Sequence, residues 1–116
     1  MLSTMKFEQG CCKKSIRERN VQIALHAKIG GLREVQCKHG FIDILTNDVV
    51  IEVKTARDWK HAVGQVTIYG QFFTTHSKAI ALYDSEGINR EEVELSCQQE
   101  NISVMWLNVS KIYTGR

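Results

Sequence analysis

Two short apolar runs, Phe41-Ile42-Asp43-Ile44-Leu45 and Val49-Val50-Ile51-Glu52-Val53, flank Thr46-Asn47-Asp48. This unit constrains the fold more than any other stretch. Both runs are aromatic or β-branched, and the residues between them are turn formers, so the segment predicts a β-hairpin. Side chains alternate along a strand, which places Glu52 and Lys54 on one face and Ile51 and Val53 on the other. If the register brings Asp43 close to Glu52, two carboxylates converge on one point, an arrangement suited to a hard divalent cation such as Mg²⁺. Lys54 would then stand beside that point, within reach of a phosphate or a water. The plainer reading is a solvated charged face with Glu52 and Lys54 as an exposed pair.

The hairpin runs directly into Trp59 to Phe73. Within it Ala62, Val66, Tyr69 and Phe73 recur at spacings of four, three and four, the stripe of a helix with one apolar face, and Asp58 stands where an N-cap belongs. Gln65 and Tyr69 are four apart and share a face. By themselves they read as a boundary polar residue and a core aromatic.

In order and separation, Gly40-x-x-Asp43, Glu52-x-Lys54 and Gln65-x-x-x-Tyr69 resemble the PD-(D/E)XK nuclease superfamily, the last element being similar to the motif of its RecB-like branch. The motifs cover about residues 15 to 73. The chain contains no proline, so Ile42 precedes Asp43 at a position that varies in that family. The resemblance implies a restriction-endonuclease-like αβββαβ core. It also implies catalytic roles for Asp43, Glu52 and Lys54, with Gln65 and Tyr69 orienting the lysine or the nucleic-acid strand. A catalytic Mg²⁺, with Mn²⁺ as substitute, would be held by Asp43, Glu52, the main chain at Val53 and Glu18. Glu18-Arg19 looks like the Glu-Arg pair near the start of archaeal Holliday-junction resolvases. Ser15-x-x-Glu18 is equally a capping box, in which the two side chains satisfy free N–H groups at a helix start.

The activity implied is Mg²⁺-dependent DNA endonuclease action, structure-specific in the manner of a junction resolvase and serving recombination, repair or replication. The competing reading is a nucleic-acid-binding or assembly module that keeps the fold without turnover, since fold alone does not give activity.

Charge is unevenly placed. The formal net charge is only +2, yet residues 1 to 61 hold eleven Lys plus Arg against seven Asp plus Glu, and residues 62 to 116 hold four against six. A basic first half attracts phosphates with salt-dependent affinity. Lys13, Lys14, Arg17 and Arg19 near the first helix, and Arg57 and Lys60 after the hairpin, are the candidate DNA contacts. With 116 residues, 43% hydrophobic and 24% charged, the chain predicts one domain over residues 1–116. No apolar run approaches a membrane span and no secretory leader is visible, which predicts an intracellular, cytoplasmic or nuclear, protein. Cys11, Cys12, Cys37 and Cys97 lack metal-site spacing, as does Cys37-x-His39, and reduced thiols are expected.

Ile16, Ile23, Ala24 and Ala27 predict a first helix ended by Gly30-Gly31, and Arg33 to Lys38 a first strand. Ala79 to Tyr83 reads as an interior strand. Asn89 caps a helix running to about Gln99, with Ile88 and Val93 as a hydrophobic staple, and Ile102 to Leu107 is a final strand. The order α-β-β-β-α-β-α-β predicts a mixed central sheet flanked by helices, with a C-terminal helix and strand added to the core. A homodimer or larger homo-oligomer is expected, with Phe72, Phe73, Met105, Trp106 and Tyr113 as candidate interface residues.

Overall fold

The computed structural model describes residues 14–114. The first helix, α1, spans Ile16–Ile29. Ser15 holds extended backbone at its N-cap, and its Oγ accepts from the Glu18 N–H at 3.0 Å. The helix stops where Gly30 turns to φ 81° and its N–H returns to the His26 carbonyl. Gly31 follows at φ 90°, where an added Cβ would lie 2.7 Å from the Leu45 carbonyl oxygen, so glycine is required there on both counts.

Strand β1 (Leu32–Cys37) turns through Lys38 and His39 into β2 (Gly40–Leu45), pairing antiparallel from Cys37 opposite Gly40 to Leu32 opposite Leu45. The expected hairpin of β2 with β3 (Val49–Thr55) is present and antiparallel. Its turn is closed by Thr46, whose Oγ accepts from the N–H groups of Asp48 and Val49 while its own N–H donates to the Val49 carbonyl. A 3-10 turn over Ala56–Asp58 leads into α2 (Trp59–Gly70). Asp58 occupies the N-cap position without making a cap bond; its carboxylate accepts instead from the Thr55 hydroxyl.

Strand β4 (Ser77–Tyr83) lies parallel between β3 and β5 (Ile102–Trp106), giving a five-stranded mixed sheet in the order β1-β2-β3-β4-β5. Between β4 and β5 runs α3 (Arg90–Gln99), capped by Asn89 Oδ1 on the Glu92 N–H at 3.1 Å. The order of elements is the one expected, with a short helix α4 (Val109–Thr114) in addition. At six residues, α4 has too few turns to show a period in sequence.

A core lies on each face. Ala62, Val66 and Tyr69 of α2 and Val93 and Cys97 of α3 pack with Val50, Ile80 and Leu82 on one side. On the other, Val21 and Leu25 of α1 and Ile112 of α4 pack with Ile51, Val53, Ala79, Ala81 and Tyr83. The continuous apolar run of β4 follows from this burial on both faces, each fully buried aliphatic side chain contributing roughly 1.5–3 kcal/mol.

Helix α1 presents a different face to the sheet from the one its isoleucines suggested. Ile16 is 79% exposed and Ile23 41%, and Ala27 is exposed as well, whereas Glu18, Val21, Gln22 and Leu25 turn inward. The buried stripe carries two polar residues because the sheet offers polar partners opposite them. Of the apolar side chains expected at an oligomer interface, Phe73, Met105 and Trp106 pack within the chain, and Phe72 is 45% exposed. The side chain of Tyr113 lies outside the described residues. The oligomer expectation therefore loses most of its basis.

Candidate functional site

At Asp43 the sheet departs from regular pairing on both sides. The ladder between β2 and β3 holds only Ile44 opposite Ile51 and Leu45 opposite Val50. On the other side, Glu34 sits across from Asp43 at φ 56° and drops out of the ladder between β1 and β2. Ile42 packs into one core and Ile44 into the other, although residues two apart normally share a face. Strand β2 thus twists over at Asp43.

Such a twist strands main-chain N–H groups in the interior, where each needs a partner. The two acids supply them. Glu52 Oε2 accepts from the Asp43 N–H at 3.0 Å, and Asp43 Oδ2 accepts from the Val53 N–H at 2.8 Å. Both carboxyl groups are 2% exposed. The sequence expectation that Asp43 and Glu52 meet across the hairpin is therefore met, with each carboxylate bridging the opening in the ladder.

Further donors converge from α1 and from Lys14 just before it. Asp43 Oδ1 accepts from Lys14 Nζ at 2.7 Å and from Gln22 Nε2 at 2.9 Å. Lys14 Nζ also lies 3.5 Å from Glu18 and 3.9 Å from Glu34, and Lys54 Nζ reaches Glu18 Oε2 at 3.4 Å. Gln22 donates to Glu34 as well and accepts from Arg33 Nη1 at 2.9 Å. The Glu18 side chain goes to the two lysines and its N–H to Ser15, so one half of the capping box forms and the carboxylate joins the cluster.

Four carboxyl groups (Glu18, Glu34, Asp43, Glu52) thus stand among three cations (Lys14, Arg33, Lys54). Burial, with the nearby Asp43 charge adding to it, pushes the Glu52 carboxyl well above the usual carboxylate range. Burial alone would push the Lys14 ammonium down, but the carboxylates of Asp43, Glu18 and Glu34 together outweigh it and hold the lysine above its ordinary value.

Tyr69 is buried from α2, its hydroxyl lodged where a Cβ on Gly40 would lie 2.6 Å from it, and Gly40 stands at φ 140°. Burial and then the Glu52 charge push its phenol up. Gln65 Oε1 is buried with no hydrogen-bond partner among the described residues. None of the hydrogen bonds described joins Gln65 or Tyr69 to Lys54; the lysine is positioned by Glu18 instead. Val53 enters the site through its N–H donating to Asp43. Its side chain lies in the core shared with α1.

The candidate nucleic-acid contacts separate into four groups. Lys13 lies outside the described residues. Lys14 is turned inward onto Asp43, a correction to its expected surface role that follows from the strength of a short buried ion pair. Arg17 is exposed and forms a bidentate pair with Asp84 at 2.7 and 2.9 Å. Arg19, Arg57 and Lys60 are exposed, with Lys60 Nζ 5.7 Å from the centre of the Trp59 ring.

Sequence reasoning missed Gln22, Arg33 and Glu34 and the inward role of Lys14. Gln22 carried a usable signal, since it follows Glu18 by four and shares its helix face.

No family model matches the chain, and no solved structure does. Three curated relatives are similar to it, all KilA-N domain-containing proteins of Acanthamoeba polyphaga mimivirus. One is 44% identical over 68 residues, 59% of this chain and 18% of the relative. A second is 33% identical over 90 residues, 78% of this chain and 37% of the relative. The third is 32% identical over 97 residues, 84% of this chain and 26% of the relative. The chain spans well under half the length of each.

These relatives overturn the nuclease reading. They carry the KilA-N designation and none is named as a nuclease, so identification with the PD-(D/E)XK superfamily, and the Mg²⁺-dependent junction-resolvase-like endonuclease activity that came with it, is corrected. The Asp43 oxygens and Glu52 Oε2 already accept from protein donors, and a cation there would have to displace Lys14 Nζ. As it stands the donor set does not fit a hard divalent ion, and among the described residues no group of three or more His, Cys, Asp or Glu is arranged to hold one. Cys37 and Cys97 are free thiols, and Cys11 and Cys12 lie outside the described residues. No described helix is long and apolar enough to cross a membrane.

Proposed function

We propose that this chain is a nucleic-acid-binding module that works without turnover, on an α/β core of restriction-endonuclease-like element order, with DNA as the partner. One observation carries the reading: the first half buries its acids and displays its bases. Among residues 14 to 61, Arg17, Arg19, Lys28, Arg33, Lys38, Arg57 and Lys60 are exposed, seven bases, against Asp48 and Asp58 as the exposed acids. Glu18, Asp43 and Glu52 are buried. Among residues 62 to 114 the balance reverses, with two exposed bases and six exposed acids. Exposed bases that outnumber exposed acids in this way attract a polyanion and release counterions from it on binding.

On this reading the buried cluster is architectural. Lys14 neutralises Asp43 from within, and the hairpin stays closed so that Arg57 and Lys60 are carried at the end of β3 on a rigid support. Relatives that bear a KilA-N name and no enzyme name are in keeping with binding as the function.

Fluorescence anisotropy of a labelled duplex titrated with protein over a series of salt concentrations tests the proposal. The logarithm of the affinity should fall linearly with the logarithm of salt concentration. In the triple variant Arg19→Ala, Arg57→Ala, Lys60→Ala the slope should shrink by up to about three phosphate contacts, each worth roughly 0.9 in the logarithmic slope. An unchanged slope in a folded variant would reject this surface as the interface.

A further inference from the structure

We propose that the groove between the N-terminal ends of β4 and β5 is a binding site for a phosphate group. It encloses about 580 Å³, and its polar lining is His76, Ser77, Lys78, Gln98, Asn101 and Ser103. That set offers an ammonium, two hydroxyls, two carboxamides and an imidazole, and no carboxylate. The absence of an acid is unusual in this half of the chain, whose exposed charges are mainly negative.

One cation in the groove has no counter-charge among the described residues. Lys78 is half-buried, and its stem is held against α2, where a Cβ on Gly70 would lie 2.8 Å from Lys78 Cδ. Its ammonium forms no ion pair among the described residues, and the residue lines the groove. His76 Nε2 lies 3.1 Å from the Thr46 carbonyl oxygen, so that nitrogen carries the proton. Nδ1 is buried and finds no hydrogen-bond partner among the described residues.

A phosphate answers the lysine. Its negative charge compensates Lys78, and its several acceptor oxygens match the hydroxyls of Ser77 and Ser103 and the amide of Asn101. The groove lies at the opposite end of the sheet from Arg57, since Val49 pairs with Ser77 and Thr55 with Tyr83. It is therefore distinct from the basic surface assigned above and does not depend on that assignment. The phosphate could belong to a free nucleotide or to a polynucleotide backbone, and the chemistry recognised is the same.

Titration of the isotope-labelled protein with inorganic phosphate, with a mononucleotide and with a short single-stranded oligonucleotide, at ionic strength held constant with chloride, separates the cases. Amide resonances of residues 76–78 and 101–103 are expected to shift saturably with phosphate. Lys78→Met keeps the stem that packs on Gly70 and should weaken the affinity about tenfold; Ser103→Ala should weaken it less. Saturation by the mononucleotide and not the oligonucleotide assigns a small-molecule source, and the reverse assigns a backbone phosphate. In Arg57→Ala, Lys60→Ala the groove titration with inorganic phosphate should be unchanged even if nucleic-acid binding is lost. If the wild-type protein shows no saturable shift at these residues, or folded Lys78→Met binds phosphate as tightly as wild type, the site does not exist.

Discussion

Asp43 and Glu52 complete each other's strands: the Asp43 carboxylate takes the N–H of Val53, next to Glu52, and the Glu52 carboxylate takes the N–H of Asp43. Two acids that in sequence suggested a cation site are, in the fold, substitutes for missing main-chain acceptors at the point where β2 twists from one core to the other. The cation that faces them is Lys14.

Removing Asp43 should therefore be costly for stability. Asp43→Ala leaves the Val53 N–H without its acceptor and removes the shortest partner of the Lys14 ammonium, which keeps only Glu18 and Glu34 at 3.5 and 3.9 Å, and breaking one side of a buried ion pair costs about 3–5 kcal/mol. Urea denaturation should show a loss of that size. The double variant Lys14→Met, Asp43→Ala should lose less than the sum of the single changes, because the unpaired charge is gone. Strict additivity would mean that the two side chains are not coupled.

Stability should also depend on Glu52 through pH. Its carboxyl lies well above the usual range in the folded chain, so the folded form keeps a proton that the unfolded chain gives up as pH passes the ordinary value of 4.5. The stabilisation is complete below that pH and drains away as pH rises toward the folded value. Lys14 is raised from 10.5, so its contribution is lost only in more alkaline solution. Glu52→Gln cannot ionise, and its melting temperature should fall less than that of wild type between about pH 5 and pH 8. Parallel pH profiles for the two proteins would refute the raised Glu52 value.

By contrast, Arg17 and Asp84 form a bidentate pair whose side chains are 51% and 45% exposed. The guanidinium beside Asp84 lowers that carboxyl, but an exposed pair contributes only about 0–1 kcal/mol. Asp84→Asn should therefore change the urea midpoint little, and a loss comparable to that of Asp43→Ala would show that the pair is structural.

Much of the fold was legible because it rests on local signals. The apolar runs of β2 and β3, the Ala62-Val66-Tyr69 stripe and the Asn89 cap each carry their own period or turn chemistry, and each stands where the sequence placed it. The meeting of Asp43 with Glu52 was legible too, being fixed by hairpin register. The inward face of α1 was not. Ile16 and Ile23 point to solvent while Glu18 and Gln22 are buried, a choice set by acceptors on β1 and β2 that are distant in sequence. Nor does sequence reveal that Lys14 closes the carboxylate pair, since a lysine beside a helix start reads as a solvated charge. The nuclease resemblance failed for a related reason: the same carboxylate spacing serves a broken strand ladder as well as a metal.

The central claim is binding without hydrolysis. Incubating labelled duplex and single-stranded DNA with the wild-type chain and Mg²⁺, then running each sample on a native and a denaturing gel, measures both at once. A retarded complex whose strands are recovered at full length is the expected result; shortened strands above a protein-free control, or no retarded complex at low salt, would contradict the account.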